Sequence, residues 1–354
     1  MFSTTSIMFL LTGIGFCIGI TIYSIYIKYR EDIYWSAKFA LLPFMILTGG
    51  ALLFVCLYFD GFYDFIANTN TKYFIYTILG TLLIYASTYV QILQRYNFLI
   101  ILTVALVITH LQPQDIIIYD SKLPIWCNPI ITAVIWTVFA YIWKYLNGVD
   151  GIALEVAAIF CIGTMFMLWF GGIPTLLGYQ AATILGLLSA LFLYNKYPST
   201  IKISSTDCTS IGFLLGSILI TSIPEKSWPC ITIFALITIG EFVYALSEML
   251  LKWKVSDITS QTAYYQANIS GLSPYMIYRH LLRIGTILII FGCLELYAPN
   301  NYSCPTFAGI LTLWYLFKLK NWTSSEKSIK EINQDVLQEI KQGLQKIKDS
   351  GNKD

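Results

Sequence analysis

Residues Lys144 to Ile159 read KYLNGVDGIALEVAAI, a polar turn holding one acid between two long apolar runs, Ile130 to Leu146 and Gly151 to Phe170. Its acid and its glycines fall where one membrane helix should end and the next begin. An ionisable group in hydrocarbon costs at least ~2.5–3.5 kcal/mol unless it meets water, a cation or a ligand. Asp150 is therefore the first candidate functional residue. Asn, Gly and Asp are also the residues that tight turns prefer, and on this segment alone NGVDG reads more readily as a plain connector between two helices.

Composition fixes the class. Apolar residues make up 56% of the chain and charged residues 12%, and the mean hydropathy is +0.66, which describes a polytopic membrane protein and excludes an ordinary soluble domain. The net charge of +2 says nothing about partners, and no nucleic-acid partner is expected. The eight Cys lie singly, without a CxxC pair, and there are two His, so neither a zinc site nor a disulfide framework is expected. A bridge between Cys127 and Cys304 stays open.

Working outward, apolar runs cover Ile7 to Ile27, Phe39 to Phe59, Tyr73 to Val90 and Phe98 to Leu111 before the turn. Ile173 to Tyr194, Cys208 to Ile223, Ile231 to Leu251, Leu281 to Tyr297 and Phe307 to Leu319 follow it. The first run is too long and too poorly flanked for a cleaved signal peptide. The expected fold is all-α, a bundle of about eleven transmembrane helices, because only helices satisfy their own backbone in lipid.

Basic residues set the orientation. Lys28, Arg30, Lys38, Arg95, Lys144, Lys196, Lys202, Lys252, Lys254, Arg279 and Lys320 fall in one set of alternate loops, against Lys72, Lys122 and Lys226 in the other. The positive-inside rule then places the N-terminus outside and the C-terminus in the cytoplasm. The NGVDG turn, the Lys196–Asp207 segment and the Lys252–His280 segment converge on the cytoplasmic face. The transmembrane domain runs over residues 1–320. Residues 321–354 form a separate cytoplasmic tail, where Ile329, Ile332, Val336, Ile340, Leu344 and Ile347 recur at helical spacing and predict an amphipathic helix.

These features resemble the polyprenyl-phosphate N-acetylhexosamine 1-phosphate transferases, and most of all the bacterial undecaprenyl-phosphate N-acetylglucosamine 1-phosphate transferase branch. Gly148, Asp150 and Gly151 match that family's D-G-x-D-G-L motif, with Ile152 in place of its Leu. LTGGALLF in the second run, LWFGG, IGFLLGSILI, Glu241 in the ninth run and GLSPYMIYRHLLRIG continue the likeness. The resemblance implies a multi-pass protein of the bacterial inner membrane that transfers N-acetylhexosamine 1-phosphate from a UDP-sugar to polyprenyl phosphate in envelope polysaccharide synthesis. It implies Mg²⁺ as cofactor, since charge developing on the transferring phosphoryl group must be neutralised. It also admits a homodimer. Asp150 becomes the catalytic and metal-facing acid, Asp207 a second catalytic acid with Glu155 as an auxiliary, and Lys144, Asn147, Gly148 and Gly151 the substrate-binding set.

The chain departs from the family at most of its polar positions. The adjacent Asp pair falls on Tyr89 and Val90, the two Asn on Tyr141 and Lys144, and the first Asp of the glycine motif on Asn147. The Gly-Asp of the following motif falls near Ser204 and Ser205, and the His cluster on Thr262 to Tyr265. Asp60 and Asp64 imitate the lost pair but sit outside by the charge bias. The replacements predict a transferase-like protein without ordinary Mg²⁺-dependent catalysis, against which stands a purely lipid-binding or scaffold protein. A small-solute transporter is a more distant alternative, since it would want inverted repeats.

Overall fold

The computed structural model describes residues 4–30, 69–87, 95–111, 126–223, 227–252, 258–297 and 303–319, together with residues 93 and 124. The second apolar run, Asp60 and Asp64, Tyr89 and Val90, and the tail over 321–354 lie outside the described residues. Among those described, every regular element is helical. In chain order they are α1 (Thr4–Arg30), α2 (Thr69–Ser87), α3 (Asn97–Leu111), α4 (Cys127–Ile142), α5 (Ile152–Trp169), α6 (Thr175–Asn195), α7 (Ser205–Thr221), α8 (Trp228–Lys252), α9 (Ala263–Ile269) and α10 (Pro274–Tyr297). The last of the described helices, α11, covers residues 303–319. Short 3₁₀ turns occupy Trp143–Leu146 and Ile258–Gln261.

Among the described residues, six helices are long and apolar enough to cross a membrane: Thr4–Ile25, Cys127–Leu146, Ile152–Trp169, Thr175–Asn195, Trp228–Leu251 and Pro274–Tyr297. Three shorter apolar helices accompany them. The chain is an integral membrane protein built from helices. Phe9, Leu10 and Ile14 on α1 and Leu282, Ile290 and Leu294 on α10 point outward, as side chains do where the surrounding solvent is hydrocarbon.

Helices α5 and α6 are buried along most of their length and form the centre. Helix α6 lies against α1 and α5, and α5 also meets α8 and α10. A second group joins α4 to α7 and α3, with α2 bridging α3 and α7. Hydroxyls enter this interior by returning to their own helix: Thr164 Oγ1 donates to the Phe160 carbonyl (2.9 Å) and Thr183 Oγ1 to the Tyr179 carbonyl (2.9 Å). That satisfies donors which would otherwise cost about 1–3 kcal/mol each when buried.

Small residues set the closest approaches. Gly15 and Gly19 on α1 face Gly186 and Ala190 on α6, and a Cβ on Gly186 would stand 2.3 Å from the backbone oxygen of Thr12. Helices in lipid lack a hydrophobic drive toward one another, so backbone-to-backbone contact of this kind supplies their adhesion. Further along, the buried Phe234 ring of α8 is held between Gly163 of α5 and Gly292 of α10, where a Cβ would come within 2.7 Å and 2.3 Å of it. In the second group Trp136 stacks on Phe213 at 4.3 Å and donates its Nε1–H to the Phe213 carbonyl at 2.8 Å. The free thiols of Cys127 and Cys304 show that no bridge joins them.

Candidate functional site

The polar turn after α4 is where distant segments meet. Helix α4 runs out into a 3₁₀ turn at Trp143–Leu146, and the chain then reverses through residues 147–151. Gly151 has φ +81°, a left-handed conformation that costs an L side chain about 1–2 kcal/mol, and glycine nothing comparable. A Cβ there would also lie 2.9 Å from the Tyr278 hydroxyl.

The backbone N–H of Gly151 donates to Asn195 Oδ1 (2.9 Å), and Asn195 Nδ2 donates onward to the Ile201 carbonyl (2.8 Å). Asn147 Nδ2 reaches the Ile203 carbonyl (2.9 Å). The Ser199 hydroxyl donates to Asp150 Oδ2 at 2.7 Å. From α10, the Tyr278 hydroxyl donates to the Asp150 carbonyl (2.5 Å) and accepts from the Tyr197 N–H (3.1 Å), while the Tyr275 hydroxyl donates to the Tyr197 carbonyl (2.9 Å). Gly148 leaves room for Tyr265 of α9, whose Cβ would be 3.1 Å from a Cβ at that position. Residues 147–151, 195–203, 259–265 and 275–278 thus close one end of the bundle.

The residues expected to act together divide into two sets. Asp150, Asn147, Gly148 and Gly151 share the turn, with Asp150 half-buried. Lys144 turns its ammonium over the Tyr141 ring at 5.3 Å, an orientation that keeps a cation in contact with a π-face. Asp207 serves a helix end. Its Oδ2 accepts from the Ser204 N–H (2.7 Å) while Ser204 Oγ accepts from the Asp207 N–H (3.2 Å), which forms a reciprocal cap on α7. Substituting Asp207 with alanine should lower stability by about 0.5–2 kcal/mol, the usual worth of a cap, and leave ligand binding at the turn unchanged. Denaturation and binding on the same sample check this, and lost binding at undiminished stability would place the carboxylate on a ligand instead.

His280, expected at a loop end, sits within α10 with its ring 6.1 Å from that of Tyr315. The helix begins at Pro274, and Ser273 followed by proline is the start signal that marks it. Asn195, Ser199, Tyr275 and Tyr278 are partners of the turn that sequence reasoning missed, because each acts on a segment far away in the chain.

Among the described residues no three His, Cys, Asp or Glu side chains lie together in a way that could hold a metal ion. Asp150 is the one acid of its turn. The turn therefore offers a Mg²⁺ one carboxylate, the least that such an ion uses beside substrate phosphates, and lacks the acid cluster that the family resemblance implies. What the end of the bundle does offer is positive charge. Lys196 and Lys202, both exposed, flank the Ser199 that binds Asp150, and the exposed Arg279 adjoins Tyr278. No protein-family model matches the chain, and no curated protein matches it.

Proposed function

We propose that this protein is a membrane sugar-1-phosphate-transferase-like protein that engages a polyprenyl phosphate at the Asp150 end of its bundle without a working Mg²⁺ clamp. One observation carries the reading. The NGVDG turn and the GLSPYMIYRH stretch, which carry the family resemblance, meet the Asn195–Lys202 segment around Asp150 through Ser199, Asn195 and Tyr278, although the three lie far apart in the chain. Lys196, Lys202 and Arg279 border that meeting point, and basic side chains beside a membrane favour an anionic head group. In this reading the chain crosses a bacterial inner membrane about eleven times, with its N-terminus outside and the Asp150 end facing the cytoplasm.

The test is exchange of labelled UMP into UDP-N-acetylglucosamine by the purified protein with undecaprenyl phosphate and Mg²⁺, alongside Asp150→Asn and a direct measurement of lipid binding. The expected result is bound lipid phosphate and no exchange above background. Exchange that Asp150→Asn abolishes would show an active transferase with an altered acid set. Absence of both exchange and lipid-phosphate binding, from folded protein, would end the family reading.

A further inference from the structure

A groove runs along the outer face of the bundle where α5 meets α10. Its walls include Ile162, Phe166 and Phe170 from α5 and Leu282, Ile290 and Tyr297 from α10, and it encloses about 460 Å³. The seam behind it is fixed. Ile159 packs on Gly285, where a Cβ would stand 2.6 Å from the Ile159 Cδ1, and the Phe170 and Tyr297 rings meet edge to face at 6.3 Å to close the far end. Thr286 Oγ1 donates to the Leu282 carbonyl at 2.8 Å, which turns its polar atom back onto the helix and leaves the methyl to the groove. An apolar trough results.

The face of α10 that forms one wall begins before Leu282. Arg279, Leu282, Thr286, Ile290, Cys293 and Tyr297 follow one another at three- and four-residue steps and so share one side of the helix, which puts Arg279 at the mouth of the groove nearest the Asp150 turn. Arg283 is one turn beyond Arg279 and adjoins Leu282, and both arginines are exposed. Among the described residues no carboxylate pairs with either guanidinium. On α11 the Tyr315 ring lies 6.1 Å from that of His280, and the exposed Lys318, one turn on, lays its ammonium over Trp314 at 5.0 Å. Arg279, Arg283 and Lys318 all stand within electrostatic reach of His280, so positive charge gathers at one end of the trough.

Helix α10 is long and apolar enough to span a membrane, and Arg283 comes nine residues after its first residue, Pro274, about 13 Å along the axis at 1.5 Å per residue. A guanidinium that far into a spanning helix is costly unless its arm reaches the head-group level and an anion there. The occupant that suits such a groove is charged at one end and apolar along the rest. A guanidinium matches phosphate oxygens with two parallel bonds, and basic pockets between spanning helices favour anionic head groups. A second copy of the chain, related by a two-fold axis along the membrane normal, would bring its own arginines to the same level, like charge against like. We propose that Arg279, Arg283 and the α5–α10 groove form a binding site for one anionic phospholipid, its phosphate on the arginines and an acyl chain along the trough. Lys318 flanks the head group. Arg279 borders this groove and the Asp150 turn alike, and the site stands without the transferase reading.

The experiment titrates the full-length protein in detergent with labelled phosphatidylglycerol and, separately, labelled phosphatidylcholine, and measures the lipid retained on the protein. The expected result is saturable binding that favours the anionic lipid by about ten-fold, the worth of a hydrogen bond to a charged group. Arg279→Gln and Arg283→Gln should each remove most of that preference. Ile290→Trp fills the trough from a position that is 54% exposed, so it leaves the core untouched, and it should weaken phosphatidylglycerol binding several-fold. Leu83→Trp, in the groove between α2 and α3 whose lining carries no basic side chain, should change nothing. The proposal is overturned by equal binding of the two lipids, by a double Arg279→Gln and Arg283→Gln variant that keeps the preference, or by undiminished binding to Ile290→Trp. Undecaprenyl phosphate that displaces phosphatidylglycerol at far lower concentration than unlabelled phosphatidylglycerol does would also overturn it, and would assign the groove to a polyprenyl chain.

Discussion

Gly186→Val will part α1 from α6 and lower the stability of the detergent-solubilised protein toward the upper end of the ~1–3 kcal/mol typical of overpacking. The group that a new Cβ meets is the Thr12 backbone oxygen, 2.3 Å away, with the Phe16 nitrogen at 3.0 Å. Backbone cannot rotate aside as a side chain can, so the whole of α1 must move. A gap of about 0.5–1 Å forfeits a quarter to a half of each dispersion contact along the seam. The bond from Thr12 Oγ1 to the Ala182 carbonyl, already 3.2 Å long, goes with it. Gly13→Val on α1 is the matched control, because nothing lies within 4 Å of its Cβ. Thermal unfolding of the two variants decides the matter. Equal losses would mean that the seam does not depend on Gly186.

The second large effect is expected at Asn195. This residue is 4% exposed and holds the Gly151 N–H with one end of its amide and the Ile201 carbonyl with the other. Asn195→Ala leaves both backbone groups unpaired in the interior, each at about 1–3 kcal/mol, and gains nothing in return at the end of α6. Asn195→Asp keeps the acceptor for Gly151 and loses the donor to Ile201, so it should recover part of the loss. Chemical denaturation reports the stability, and limited proteolysis between residues 196 and 203 reports whether the loop has come away from the turn. An alanine variant as stable as the wild type, with an uncut loop, would show that Tyr278 and Ser199 hold Asp150 in place unaided.

The helices were readable because hydrocarbon forces a simple code. Phe98 to Leu111 became Asn97–Leu111, Gly151 to Phe170 became Ile152–Trp169, and Ile173 to Tyr194 became Thr175–Asn195. Apolar runs of that length have no other way to satisfy their backbones. The meeting of the Asp150 turn with the Lys196–Asp207 and Lys252–His280 segments followed from charge bias. Its construction did not follow. Asn195 and Tyr278 act across 44 and 128 residues of sequence, and nothing local to either reveals a partner. Helix α9 was hidden for a related reason: a seven-residue helix is marginal alone, and this one is anchored by Glu241 from another element. Asp207 also carried a local signal, since an acid three residues after Ser204 at the head of an apolar run is a cap signature.

The Phe234 ring, set between Gly163 and Gly292, has a mechanical consequence for the far end of the molecule. Sliding one helix past another by a single residue moves it about 1.5 Å along its axis, and the ring would then ride up onto a flanking side chain in place of a bare backbone. It acts as a transverse pin through α5, α8 and α10. Because α5 begins at the Asp150 turn and α10 carries Tyr278, pinning them about 18 Å away, at 1.5 Å per residue from Gly151 to Gly163, removes shear from the motions open to the polar end. The two helices can only pivot as a pair, so Asp150 and Tyr278 keep their spacing whatever tilt the surrounding bilayer imposes.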